Sequence, residues 1–165
     1  MKNILLCIAI VLFVSCERKS NKALELSEGV SKELASYRKN QVSNVKYHLF
    51  FKIPSTKEDP ISSKLILELS IRDLSNPLFL DFKSNKETPQ SSVVNGKSVP
   101  IQYQKEHLTI PVEHLVIGSN KIEIEFIAGE MSLNRNDDYL YTLLVPDRAR
   151  TLFPCFDQPN IKATY

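Results

Sequence analysis

The chain has 165 residues, 42% of them apolar and 24% charged, with a formal net charge of +2. This is the composition of one ordinary globular domain, or part of one, and it excludes the disordered and fibrous classes. The length leaves no room for separate catalytic and substrate domains, and the near-neutral balance, without a basic stripe, excludes a nucleic-acid surface.

Residues 1–16, MKNILLCIAIVLFVSC, open with one basic residue, Lys2, and continue as an apolar run from Ile4 to Val14. At about 1.5 Å of rise per residue, that run covers roughly half of a bilayer core. It therefore reads as an export signal and not as a spanning helix. Its removal takes away Lys2 and no acid, lowering the net charge from +2 to +1. The run ends in Phe13-Val14-Ser15-Cys16, which resembles a bacterial lipoprotein box with Phe13 where Leu is usual. The resemblance implies that Cys16 receives lipid after cleavage and anchors an exported protein to a membrane, facing the periplasm or the cell surface. The alternative is an ordinary secretory signal that ends near Cys16. If Cys7 leaves with the signal and Cys16 carries lipid, Cys155 has no intrachain partner, and the domain relies on its core instead of disulfides.

Residues 17–44 read as a polar tether followed by a short helix. Within GVSKELASYRKN, Val30, Leu34 and Tyr37 recur at helical spacing, with Ser27 as a candidate N-cap. From Val45 the period becomes two: Val45, Tyr47, Leu49, Phe51 and Ile53 alternate with polar or exposed positions up to Pro54. Leu65–Ile71 alternates again, and Leu78, Leu80 and Phe82 make a third run. Asn95-Gly96 between Val94 and Lys97 is a hairpin signal, because both residues accept positive φ. Ile101–Tyr103 and Leu108–Val112 read as short strands. Ile122, Ile124 and Phe126, separated by Glu123 and Glu125, give the cleanest strand with one buried face. Tyr139–Val145 is apolar on both faces and is expected to be covered on both sides. The fold class is mostly β: an antiparallel multi-sheet domain over 45–165 with one short N-terminal helix.

No complete active site is legible. Glu106-His107 and Glu113-His114 lie seven residues apart around Pro111, which is not the H-E-x-x-H spacing of a zinc helix. His48, His107 and His114 are expected at exposed or rim positions. There is no G-x-S-x-G elbow, and Gly29, Gly96, Gly118 and Gly129 are too scattered to cradle a phosphate. Cys155, between Pro154 and Phe156, reads as a buried inert thiol.

The most distinctive segment is VPDRARTLFPCFDQPNIKATY, residues 145–165. Physically it is a proline-stiffened corner, with Phe153 and Phe156 as aromatic plugs and Asp147, Asp157, Arg148 and Arg150 able to bridge one another. Phe153-Pro154-Cys155-Phe156-Asp157-Gln158-Pro159 with Lys162-Ala163 is similar to the F-P-C-F-D-E-P…K-A box of the aminopeptidase N family of zinc metallopeptidases, with Gln158 where Glu is usual. Asp147-Arg148-Ala149-Arg150 resembles that family's D-A-R element, with one residue extra.

The resemblance implies the saddle-like N-terminal β domain of such an enzyme, entered near Val45 and truncated within a strand at Ile161–Tyr165. In that family zinc and catalysis belong to a following domain with G-x-M-E-N and H-E-x-x-H motifs, and neither motif occurs here. This implies that the chain alone binds no cofactor and is inactive, with zinc, the catalytic domain and the peptide substrate as elements of a presumed longer enzyme. The family's contact to the substrate amine would fall near Leu143 and Val145, where this sequence offers no amide or carboxylate; Asp147 is expected instead in an ion pair with Arg148 or Arg150. The rival reading is a stand-alone binding lipoprotein of the cell envelope on the same β scaffold.

Overall fold

A computed structural model describes residues 24–84 and 89–165. The signal segment with Cys7 and Cys16, and residues 17–23 of the tether, lie outside the described residues.

Residues 24–31 run as an extended strap on the body of the domain. Leu24 N–H donates to Asn76 Oδ1 (3.3 Å), and the Leu26 carbonyl accepts from Lys105 Nζ (2.9 Å). The helix α1 (Lys32–Gln41) follows. Its N-cap is Ser31 and not Ser27: Ser31 Oγ accepts from Leu34 N–H at 3.1 Å, satisfying one donor of the first turn. The inward face of α1 carries Leu34, Arg38 and Gln41, all buried, while Tyr37 is half-buried. The helix therefore packs through a guanidinium and an amide as much as through an apolar stripe.

The strand β1 (Val42–Lys52) carries a bulge between Ser43 and Lys46, where Asn44 takes φ +53°. The extra residue turns both Val42 and Val45 inward, each 4% exposed, although three positions separate them. Then come β2 (Ser62–Ile71), β3 (Leu78–Asp81), β4 (Ser91–Val94), β5 (Lys97–Ser98), β6 (Gln102–Gln104), β7 (His107–Ile110), β8 (Gly118–Ile127), β9 (Leu133–Arg135), β10 (Leu140–Thr142) and β11 (Ala163–Thr164). One six-stranded sheet has the order β11-β1-β2-β8-β4-β5; a second runs β3-β7-β6; β9 and β10 form a hairpin.

The long strand β2 is zipped along its length to β1 and β8, so that Leu65 faces Ile124 and Leu67 faces Ile122 in register. These side chains share one core with Leu78, Leu80 and Phe82 from the second sheet, and the Phe82 and Phe126 rings meet edge to face at 5.5 Å. Burial of each such side chain contributes about 1.5–3 kcal/mol. The Asn95–Gly96 turn has the expected positive φ values of +50° and +81°.

The antiparallel multi-sheet class holds with one exception, and three further expectations need correction. The β1–β11 ladder is parallel, whereas every other ladder between the strands above is antiparallel. The C-terminal strand is confined to Ala163–Thr164 within the expected 161–165. His107 is fully buried and not on a rim, because it ends the two-residue turn Lys105–Glu106 and points into the second sheet. Tyr139–Val145 is not covered on both sides: Tyr139, Tyr141, Leu143 and Val145 are 46–83% exposed. Among the described residues only β9 pairs with β10, so one face of that short ribbon looks inward through Leu140 and Leu144 and the other is open.

Candidate functional site

The strand β3 places a carboxylate, Asp81, between Leu80 and Phe82 in an otherwise apolar run, and the fold answers it with an arginine and a histidine from distant segments. Arg38 of α1 forms a bidentate pair with it, Nη2 to Oδ1 at 2.6 Å and Nη1 to Oδ2 at 2.8 Å, both side chains being wholly buried. His107 Nδ1 lies 2.9 Å from Oδ1. The backbone N–H of Asp157, inside the box, donates to Oδ2 at 2.9 Å. The carboxylate thus accepts three hydrogen bonds, two from Arg38 and one from the Asp157 N–H, with His107 Nδ1 beside Oδ1. Burial alone would raise the Asp81 carboxyl, but His107, Arg38 and the Asp157 N–H together hold it below its ordinary value.

This cluster fixes the box in space. Asp81 and Cys155 exchange backbone hydrogen bonds in an isolated antiparallel bridge. The Phe156 ring lies under the Arg38 guanidinium, 5.7 Å from centroid to Cζ, and Phe156 N–H donates to the Tyr47 hydroxyl at 3.0 Å. Phe153, Pro154, Cys155 and Phe156 are all buried, and Pro159 is exposed. The aromatic plugs are therefore seated as the residue types suggest.

A second, half-buried ionic group sits beside the first. Arg150 N–H and Nη1 both donate to Asp157 Oδ2 (3.2 Å), and Nη1 lies 3.5 Å from Asp147 Oδ2. The expected pairing of Asp147 with an arginine is thus made with Arg150. Arg148 instead donates from Nη2 to the Met131 carbonyl at 2.6 Å. Glu106 receives Lys83 and lies 3.6 Å from Arg150 Nε, while accepting the Gly29 N–H of the strap (3.2 Å). His107 Nε2–H donates to the Ser27 carbonyl at 2.9 Å. Three consecutive residues, Lys105, Glu106 and His107, thus hold the strap. The turn that presents them puts Lys105 and Glu106 at φ +49° and +65° without glycine, a conformation sustained by these side-chain contacts.

Gln158, at the position where the similar box carries Glu, is buried and donates both amide hydrogens: to the Ala35 carbonyl of α1 (3.0 Å) and to Asn160 Oδ1 (2.7 Å). A carboxylate would meet those two oxygens with no donor. Gln158→Glu is expected to lower stability by about 1–3 kcal/mol, measured as the shift of the urea midpoint at neutral pH, and Gln158→Met to cost less than Gln158→Glu.

Burial, reinforced by Asp157 and Asp81, pushes the Cys155 thiol well up; burial and the neighbouring Cys155 push the Tyr47 phenol well up. Both groups are held neutral and unreactive. Among the described residues no three His, Cys, Asp or Glu side chains converge so as to hold a metal ion. Among the described residues His107 and Asp81 are a buried histidine–carboxylate pair, and both oxygens of Asp81 already accept from Arg38, with the Asp157 N–H on Oδ2 as well. These residues do not fit zinc. Leu143 and Val145, where a family contact to the substrate amine would fall, are 58% and 83% exposed and carry no polar side chain.

Next to the box, β1, the β9–β10 hairpin and residues 149–153 enclose an apolar groove of about 450 Å³, lined among others by Leu49, Phe51, Leu140, Leu144 and Tyr165. Sequence reasoning found the box but missed Arg38, Asp81 and His107; only the isolated charge inside the Leu78–Phe82 run signals the cluster.

The described residues thus form a β-sheet domain whose proline-bounded corner is locked onto buried charge beside an open apolar face. The chain belongs to the peptidase M1 N-terminal domain family, whose family model matches residues 43–165. Its fold is similar to that of the M1 zinc metallopeptidase from Deinococcus radiodurans (TM-score 0.59, 18% identity, 75% of this chain and 31% of that one). A mutant of the Deinococcus enzyme bound to a Tyr-Ser-Ala substrate matches with TM-score 0.58 and 17% identity over 74% of this chain and 31% of that one. Native leukotriene A4 hydrolase from Saccharomyces cerevisiae matches with TM-score 0.62 and 20% identity over 77% of this chain and 22% of that one. The chain spans less than a third of the length of these solved relatives. No curated protein matches the sequence.

Proposed function

We propose that this chain is the N-terminal, non-catalytic region of an exported zinc-dependent aminopeptidase, anchored to a cell-envelope membrane through lipid on Cys16. In that reading it supports the catalytic domain and forms one wall of the cleft that admits peptides for removal of their N-terminal residues. The observation that carries it is the pairing, side by side, of a rigidly locked family box with an open apolar surface, Tyr139, Tyr141, Leu143 and Val145. A locked box keeps that surface in one orientation, and an apolar surface of this kind is what a companion domain covers. Zinc would be held by residues outside this sequence, as the M1 zinc metallopeptidase to which the fold is similar is more than twice as long.

The purified 165-residue protein is expected to release nothing from an aminoacyl reporter and to retain no stoichiometric zinc after dialysis. Measurable release would overturn the non-catalytic reading. For the anchor, Cys16→Ser is expected to move the protein from the membrane fraction to the soluble fraction; unchanged partitioning would sink that part.

A further inference from the structure

The C-terminal end of α1 is closed by Arg72, the residue that follows β2. Its backbone N–H donates to the Gln41 carbonyl at 2.8 Å, and its Nη2 donates to the carbonyls of Lys39 (3.0 Å) and Val42 (2.7 Å). These bonds fix the guanidinium on the wall of a polar pocket of about 480 Å³, whose lining also includes Lys39, Asn40, Ser43, Asn44 and Lys162. Lys39 Nζ donates to the Asn160 carbonyl at 2.8 Å. That bond ties α1 to the segment carrying Lys162, the lysine at the K-A end of the box. Three exposed cations thus face one concavity. Among the described residues no Asp or Glu lines it, and none of the three cations has a carboxylate within ion-pair distance. Arg72 Nε and Nη1, two ammonium hydrogens of Lys39 and the whole ammonium of Lys162 have no acceptor among those residues either.

We propose that this pocket is a binding site for a phosphate monoester, carried either on a phospholipid headgroup or on a soluble molecule. Helix capping accounts for one nitrogen of Arg72 and leaves both lysines without a role. Like charges held together repel one another, so the pocket is complementary to a compact anion of more than one charge. A phosphate monoester brings about −1.5 to −2 and three acceptor oxygens. Two of those oxygens match the planar fork of Arg72, and the lysines act on the group as point charges. A carboxylate, with one charge and two oxygens, would leave two of the cations unbalanced. The volume exceeds that of a bare phosphate ion, leaving room for the start of the alcohol it esterifies. The site uses no part of a catalytic domain and stands or falls apart from the peptidase reading.

The 165-residue protein is titrated with inorganic phosphate, and with chloride at equal ionic strength, while backbone amide shifts are followed by NMR. Phosphate alone is expected to give saturable shifts at residues 40–44, Arg72 and Lys162. Lys162→Gln, at an exposed side chain, is expected to weaken phosphate binding about fivefold, and Lys39→Gln with Lys162→Gln at least about tenfold. Lys97→Gln removes the same charge from β5, at the opposite edge of the six-stranded sheet, and is expected to change nothing. The source is read with vesicles of phosphatidylcholine alone, with phosphatidylglycerol, and with phosphatidic acid, a monoester. Tighter binding to phosphatidic acid than to phosphatidylglycerol, lost in the double variant, assigns the site to a headgroup. Equal binding to the two anionic vesicles, with the phosphate shifts intact, assigns it to a soluble monoester. Absence of saturable phosphate shifts overturns the proposal. So does weakening by Lys97→Gln equal to that by Lys162→Gln, which would reduce the effect to general surface charge.

Discussion

Replacing Arg38 by methionine will cost the domain about 3–5 kcal/mol of folding stability at neutral pH, among the largest effects open to a single substitution here. The reason is the state in which the change leaves Asp81. Both partners are fully buried, so the carboxylate cannot turn to water when the guanidinium goes. It keeps only the Asp157 N–H and His107, and Phe156 loses the cation beneath which it packs. Urea unfolding of the Arg38→Met protein measures the loss. A double variant, Arg38→Met with Asp81→Leu, is expected to regain part of it, since an uncompensated charge is worse than an apolar pair of similar volume. Recovery stays partial because Asp157 N–H and His107 then lose their acceptor.

The pH dependence carries the sign of the same argument. The carboxyl of Asp81 is held below its ordinary value in the fold, so its pairing stabilises the native state above the unfolded pKa of about 3.9. That stability is lost as pH falls through the depressed folded value. In the Arg38→Met protein, acid instead relieves the stranded charge. The cost of the substitution is therefore expected to shrink below about pH 4. Asp157 has the opposite sense: burial raises its carboxyl despite the Arg150 contacts, and its protonation favours the fold. It is present in both proteins, so its contribution largely cancels in the difference. A cost that stays constant down to acid pH would show that Asp81 is not the group left exposed to the loss.

The sheets were legible because their information is local. Leu65–Ile71 and Ile122–Phe126 alternate with the period of a pleated strand, and they do form the centre of the six-stranded sheet. Asn95-Gly96 states its turn through its own backbone preferences. The family box, likewise, is written in contiguous residue types. What holds the box in place is written elsewhere: Arg38 lies 43 residues before Asp81, on the helix read from Val30, Leu34 and Tyr37. His107 looked like a rim residue because its burial depends on the Lys105–Glu106 turn, which has neither glycine nor asparagine to announce positive φ. Tyr139–Val145 misled in the other direction. Apolar character on both faces of a segment reports that it can be buried, not which surface buries it, and in the described fold only the Leu140 and Leu144 side is engaged.

Gly129→Ala is the second substitution expected to be severe, and it tests the closeness of approach on which the corner depends. Gly129 follows β8 and donates its N–H to the Leu152 carbonyl at 3.0 Å. An added Cβ would stand 1.9 Å from the Thr151 carbonyl oxygen and 2.8 Å from its carbon. Both are backbone atoms, so no rotamer change relieves the overlap. Thr151 is itself pinned, its hydroxyl donating to the Arg148 carbonyl (2.7 Å) and pairing with buried Ser132. The residues that must move are therefore those leading into Phe153–Phe156. Overpacking of this kind costs typically 1–3 kcal/mol and more where the backbone is fixed; here about 3 kcal/mol is expected. The loss should also be local in character, because the strain falls on the segment that seats Cys155 and not on the β2–β8 ladder. Peptide-resolved thiol labelling is accordingly expected to rise at Cys155, which is 2% exposed in the parent, under conditions where amides of β2 remain protected. Labelling that rises only together with exchange in β2 would mean that the corner and the central sheet open as one unit, and that the box is not a separately anchored element.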